Sequence, residues 1–156
     1  MRTHKYDLRG FQLINTLDSA GYVYRDLAAV SVESGDALFD DGAGYVTNVG
    51  TAFAATFVGV AGAAIDNSGG SDGDLKVPII APNPDRKFIV KNTSATVAAQ
   101  TDVGEIVDLE ANDAIDVTDV TLVEWGFVID EIDISTDALA AAAGGFVQGR
   151  FQKAPQ

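Results

Sequence analysis

The sequence predicts a mainly β protein: a small β-barrel or β-sandwich with an extended N-terminal arm and one short helix near the C-terminus. Three observations predict it. The apolar runs are short and rich in Val, Ile, Phe and Ala. Clusters of Gly, Asp, Asn and Pro separate them at close spacing. Only one stretch, near the C-terminus, combines good helix formers with capping residues.

Residues 1–27 are weakly patterned and are expected to form the arm, leaving 28–156 as one β domain. Within it, Ala28–Val32 is a short β-prone run. Ala37–Phe39 and Tyr45–Val49 flank Asp40-Asp41-Gly42-Ala43-Gly44, which reads as strand, tight turn, strand, because Asp and Gly tolerate turn dihedrals. Phe53–Val60 is a further apolar run. Val77–Ile80 and Phe88–Lys91 flank Ala81-Pro82-Asn83-Pro84-Asp85, where two prolines fix a rigid corner. Gly104–Leu109 and Ala114–Val117 are separated by the turn-like Glu110-Ala111-Asn112-Asp113.

Leu122–Ile134 is the longest strand candidate, and two registers fit it. Strict alternation puts Val128, Ile132 and Ile134 on one face, but Asp130 interrupts that face. A bulge near Asp130-Glu131 would instead align Phe127, Ile129, Ile132 and Ile134. Thr136–Ala143 is the helix candidate: Ser135 or Thr136 can cap it, Asp137 suits its first turn and Gly144-Gly145 can end it. Phe146–Phe151 would be a closing strand.

Composition excludes several chemistries. Cys is absent, so thiol catalysis, disulfides and Cys-type metal sites are excluded. His4 is the lone histidine, which rules out multi-His metal sites and argues against His-dependent catalysis. The glycines match neither a P-loop nor a dinucleotide fingerprint, and no serine sits in a G-x-S-x-G elbow. No enzyme, cofactor, metal or small-molecule substrate is expected. The net charge of −13 disfavours nucleic acid, whose phosphates call for Lys and Arg in excess. No apolar run approaches a membrane span.

The charge is uneven. Residues 1–9 carry +2 and residues 150–156 carry +2, while 11–149 hold 5 basic and 22 acidic side chains. One reading is solubility. Another is that cationic ends dock on an anionic partner while the acidic body faces solvent; Arg2, Lys5, Arg9, Arg150 and Lys153 are then the docking candidates. A high-salt origin also fits the 18 Asp against 5 Glu. Asp66–Asp74 (DNSGGSDGD) reads as a long exposed loop whose Asp66, Asn67, Ser68, Asp72 and Asp74 carry oxygens of the kind calcium takes, though not in EF-hand order.

Several stretches resemble tailed-bacteriophage capsid decoration proteins, also called cement or head-stabilisation proteins. They are Ser34–Val49 followed by Phe57–Ala61, Val77–Val90 leading into Asp102–Val117, and Gly126–Phe151 with its G-x-x-x-G-R-F-like end. The resemblance covers roughly residues 28–151. It implies a β-tulip-like barrel that adds to the outer surface of an assembled icosahedral head and stabilises it by bridging capsomers. It also implies a homotrimer at three-fold or quasi-three-fold positions, with the major capsid protein as partner. The protein would be made in the host cytoplasm and located on the virion. Alternatives are another virion subunit (tail tube or head–tail joining) and an extracellular carbohydrate- or calcium-dependent binding module using Asp66–Asp74.

Overall fold

The computed structural model describes residues 9–14, 21–50, 53, 56–92, 98–120, 125–133 and 145–153. Among these, the first strands are β1 (Gln12–Leu13), β2 (Val23–Asp26), β3 (Ser31–Val32), β4 (Ala37–Asp40) and β5 (Val46–Thr47). Then come β6 (Phe57–Ala61), β7 (Ile65–Asp66), β8 (Lys76–Ile80) and β9 (Phe88–Asn92). The last four are β10 (Ile106–Ala111), β11 (Ala114–Asp116), β12 (Trp125–Asp133) and β13 (Phe146–Lys153). The protein is mainly β, as its short apolar runs predict.

The C-terminal strands close on themselves. Their order is β9–β11–β10–β12–β13, and β13 pairs back onto β9, giving a closed five-stranded barrel. Closure removes the free edges that an open sheet would expose. Only the β9–β11 contact is parallel. Ala111 pairs with Ala114 across the Asn112-Asp113 turn that the sequence marks. In the long β12–β13 ribbon the register shifts between Ile129 and Glu131. That bulge puts Phe127, Ile129 and Ile132 together in the core, which decides between the two registers the sequence allowed. Gly149 is required there, because a Cβ would sit 2.0 Å from the Val128 carbonyl.

Residues 23–80 build the second unit. Its sheet has the order β2–β8–β6–β4–β5, antiparallel throughout. An isolated parallel bridge between Leu27 and Val46 brings its two ends together, and β3 and β7 form a small separate ribbon. The β4–β5 turn works as its residues predict. Asp41 Oδ1 accepts from the N–H groups of Ala43 and Tyr45 at 2.8 and 3.1 Å, and Asp40 Oδ1 from that of Gly42 at 2.9 Å. The proline corner leads from β8 into β9. Arg86 steadies it by donating to the Ala81 carbonyl at 2.7 Å, and Asn83 Oδ1 accepts from the Asp85 N–H at 2.9 Å.

Two cores result. The larger joins the barrel interior (Phe88, Val90, Val107, Ile115, Phe127, Phe151) to one face of the second sheet (Ala37, Phe39, Phe57, Val60, Ile80). Phe151 stands at its centre, with the rings of Phe11, Phe53, Phe57, Phe88 and Phe127 at centroid distances of 4.8–5.5 Å. Trp125 closes one side against Phe57 at 5.7 Å. The smaller core is aliphatic, built from Leu27, Val32, Leu38, Val46, Ala61, Val77 and Ile79.

Parts of the expected arm, residues 1–27, are built into the body. β1 pairs with β9 and Phe11 is buried among the rings, while β2 pairs with β8. Their weak patterning has a physical cause: β1 contributes two paired residues, and Val23 and Tyr24 of β2 are exposed. Residues 1–8 and 15–20 of the arm, the helix expected over 136–143, and Ile134 lie outside the described residues.

Candidate functional site

The cations of this chain are few, and the structure shows where those of the described residues go. Arg9 precedes β1, on a backbone pressed against the turn before β4. The Phe11 N–H donates to the Gly35 carbonyl at 2.8 Å, and a Cβ on Gly10 would come within 2.4 Å of that oxygen. Gly10 and Gly35 both have positive φ, 71° and 93°, so this crossing needs glycine at both places. The approach aims Arg9 at Asp36, whose side chain is fully buried, with Nη1 to Oδ1 at 2.5 Å. Asp36 Oδ2 accepts from the Glu33 N–H at 3.0 Å and from Asn48 Nδ2 at 2.9 Å. Burial opposes the Arg9 charge, but hydrogen bonding and attraction to Asp36, aided by Asp113 and Glu33, outweigh it and raise its pKa.

Arg150 on β13 reaches across the ribbon to Asp130, the residue at the bulge. Lys153, at the end of β13, is exposed. Arg2 and Lys5 lie outside the described residues. Of the five docking candidates, Arg9 and Arg150 therefore hold carboxylates of the body, and Lys153 faces solvent. Lys91 and Arg9 also share Asp113, at 3.5 and 3.7 Å. Arg25 pairs with Asp40 at 2.6 Å, and Lys76 with Asp26 at 2.5 Å. The Arg25 hydrogen bond, with the Gly42 N–H, holds the Asp40 carboxyl below its ordinary pKa.

Arg9 and Lys153 lie towards opposite ends of β9. Leu13 pairs with Phe88 and Gln12 with Ile89, so Arg9 lies towards the Asn92 end of β9, beside Lys91 and Asp113. β13 runs the same way, Phe146 opposite Lys91 and Gly149 opposite Phe88, so Lys153 projects past the other end. At 3.2–3.4 Å per residue, the seven steps from Phe146 to Lys153 separate the ends by roughly 23 Å. Many acids are on the surface, with Glu33, Asp41, Asp72, Glu105, Glu110 and Glu131 all exposed.

The Asp66–Asp74 loop is exposed, as expected, but its side chains are bonded to its own backbone and to that of residues 27–29. Asn67, 3% exposed, donates to the carbonyls of Leu27, Ala28 and Ser71 at 2.9–3.3 Å. Asp72 Oδ1 accepts from the Ala29 N–H at 2.8 Å, and Asp74 Oδ2 from the Ser71 N–H at 2.7 Å. The Ser68 hydroxyl and N–H both donate to Asp66 Oδ1, which lowers the Asp66 pKa. These oxygens order the loop. Among the described residues no group of three or more His, Asp or Glu is placed to hold a metal ion. No helix among them is long and apolar enough to cross a membrane.

Sequence reasoning missed Asp36, Asp130 and Asn67 as organising residues. Asp36 had one signal, an Asp directly after a glycine in a turn-rich stretch. Nothing local marks Asp130 as the partner of Arg150, which lies 20 residues away and is joined to it only by the β12–β13 register. Comparison with protein-family models found no match, and comparison with curated proteins found none either.

Proposed function

We propose that this protein is a virion structural protein that binds the outer surface of an assembled phage capsid and stabilises the head by bridging capsomers, as a homotrimer docked on the major capsid protein. The observation that carries the reading is the ordered resemblance of the stretches from Ser34 to Phe151 to capsid decoration proteins. Those stretches include all of β4, β5, β6, β10 and β11, and β8, β9, β12 and β13 but for one or two end residues of each. Arg9 and Arg150 serve the protein's own acids, so docking charge falls to exposed Lys153 and to Arg2 and Lys5. Many weak contacts repeated over a lattice sum to strong stabilisation.

The test is co-sedimentation with empty heads of the parent phage that lack this protein. Saturable binding and a higher temperature of head rupture are expected, and light scattering should return the mass of a trimer. Lys153→Glu should weaken binding several-fold at low salt, with a smaller effect at high salt. Protein that stays in the supernatant at all concentrations would reject the reading.

A further inference from the structure

Asp108 is a buried carboxylate that the proposed function does not use. It lies on β10 between Val107 and Leu109, which point into the barrel core, so its own side chain is on the outer face of the wall. Yet it is only 5% exposed. Its Oδ1 accepts from the Phe53 N–H at 2.5 Å and from the Leu109 N–H at 2.7 Å. The Phe53 ring is fully buried against Phe11, Phe57 and Phe151. One carboxyl therefore pins the backbone of the residue whose ring helps to close the large core.

Among the described residues, the charged groups placed beside that carboxyl have its own sign. On β11, Asp116 is its direct cross-strand partner. In the turn that follows, the Asp119 carbonyl accepts from the Asp108 N–H at 3.0 Å, and the Asp119 carboxylate repels it. Glu110, two residues along β10, is exposed where the register shifts between Leu109 and Ala111. β12 runs along the other side of β10, where continuing the Val107–Phe127 register brings the uncharged Gly126 opposite Asp108. Phe53 contributes only its amide. Burial, with Asp119 adding and the two N–H groups opposing, raises the Asp108 pKa.

We propose that Asp108 is an acid-closed latch: its buried carboxyl, facing Asp116 and Asp119, holds the Phe53 amide to the barrel wall most firmly when protonated and lets it open more often as the pH rises. When the latch opens, water reaches the carboxyl and its acidity returns to the ordinary range. The closed form thus binds the proton more tightly than the open form. Below the ordinary carboxylate range both forms are protonated and closure is strongest. Above the closed-state value both are ionised and closure is weakest. Between them the opening constant rises with pH.

The experiment is hydrogen exchange at the Phe53 amide, read by NMR on the full chain across the acid range and corrected for base-catalysed intrinsic exchange. The Phe53 opening constant should rise by up to about tenfold per pH unit within the window and then level off. Asp108→Asn keeps an acceptor for the Phe53 N–H without the charge, and should give a flat profile near the wild-type acid limit. Asp119→Asn keeps its backbone carbonyl bond and should move the upper end of the window to lower pH, a measurement that holds even where Asp108→Asn fails to fold. A flat wild-type profile, a slope that persists in Asp108→Asn, or an unmoved window in Asp119→Asn would overturn the proposal.

Discussion

The barrel and the second sheet solve the same problem with different materials. The barrel is closed by strand pairing and filled with rings that converge on Phe151. The second sheet meets end to end through one bridge, has a small aliphatic core, and relies on side chains that satisfy turn backbone: Asn67, Asp36, Asp41 and Asp74. In the barrel, stability comes from area removed from water and from ring packing. In the second sheet much of it rests on polar groups that are costly to leave unpaired. The lesson is that a chain with this much Asp can use the residue structurally, as a bracket for turns.

Mutations can break that contrast. Phe151→Ala should have the largest effect, about 3–5 kcal/mol lost in denaturant unfolding, because a central ring leaves a cavity that touches both units. Equal damage from a peripheral residue such as Ile65→Ala would show that the ring cluster is not central. Asn67→Ala should cost less, about 1–3 kcal/mol, by removing three hydrogen bonds that tie the loop to the carbonyls of Leu27, Ala28 and Ser71. Its damage should be local: faster amide exchange over 65–74, with the barrel amides unchanged. Uniform loss of protection would merge the two regions into one cooperative unit.

The smallest effect concerns acid. Asp40, on the second sheet, has a lowered pKa because Arg25 binds its charged form, with Gly42 assisting. Its contribution is present above the unfolded Asp value of about 3.9 and is lost as the pH falls through the lowered folded value. Asp108, on the barrel wall, is raised and has the opposite sign. In Arg25→Met the stability gap to wild type should therefore shrink towards acid pH. A gap that stays constant with pH would show that Arg25 acts through packing rather than charge.

Legibility in the sequence followed locality. The hairpin at Asp40–Gly44, the proline corner and the Asn112-Asp113 turn depend on neighbours within a few residues, and turn chemistry marked all three. The bulge at Asp130 was legible as one of two registers, because Asp130 interrupts an otherwise apolar face. Contacts between distant segments were not legible. β1 is two residues long and derives its place from Phe11 entering a pocket of rings supplied by the rest of the chain. The parallel β9–β11 pairing depends on barrel closure rather than on any signal in either strand. The charge pattern was read correctly along the chain and incompletely in space. Sequence separates cationic ends from an acidic body, but it cannot show that Arg9 and Arg150 are bound to Asp36 and Asp130.

β9 is flanked by β1 on one side and β13 on the other, and both run antiparallel to it. The two flanking strands therefore point the same way, with Arg9 at the trailing end of one and Lys153 at the leading end of the other. Tension applied between those residues would pull along the strand axes. The hydrogen bonds of β9 would then be strained in shear and together, instead of being peeled one at a time. Rupture in that geometry requires β1 or β13 to slide past β9 as a unit. Through this arrangement the seam of the barrel is a clamp against stretching, whatever the molecule is fastened to.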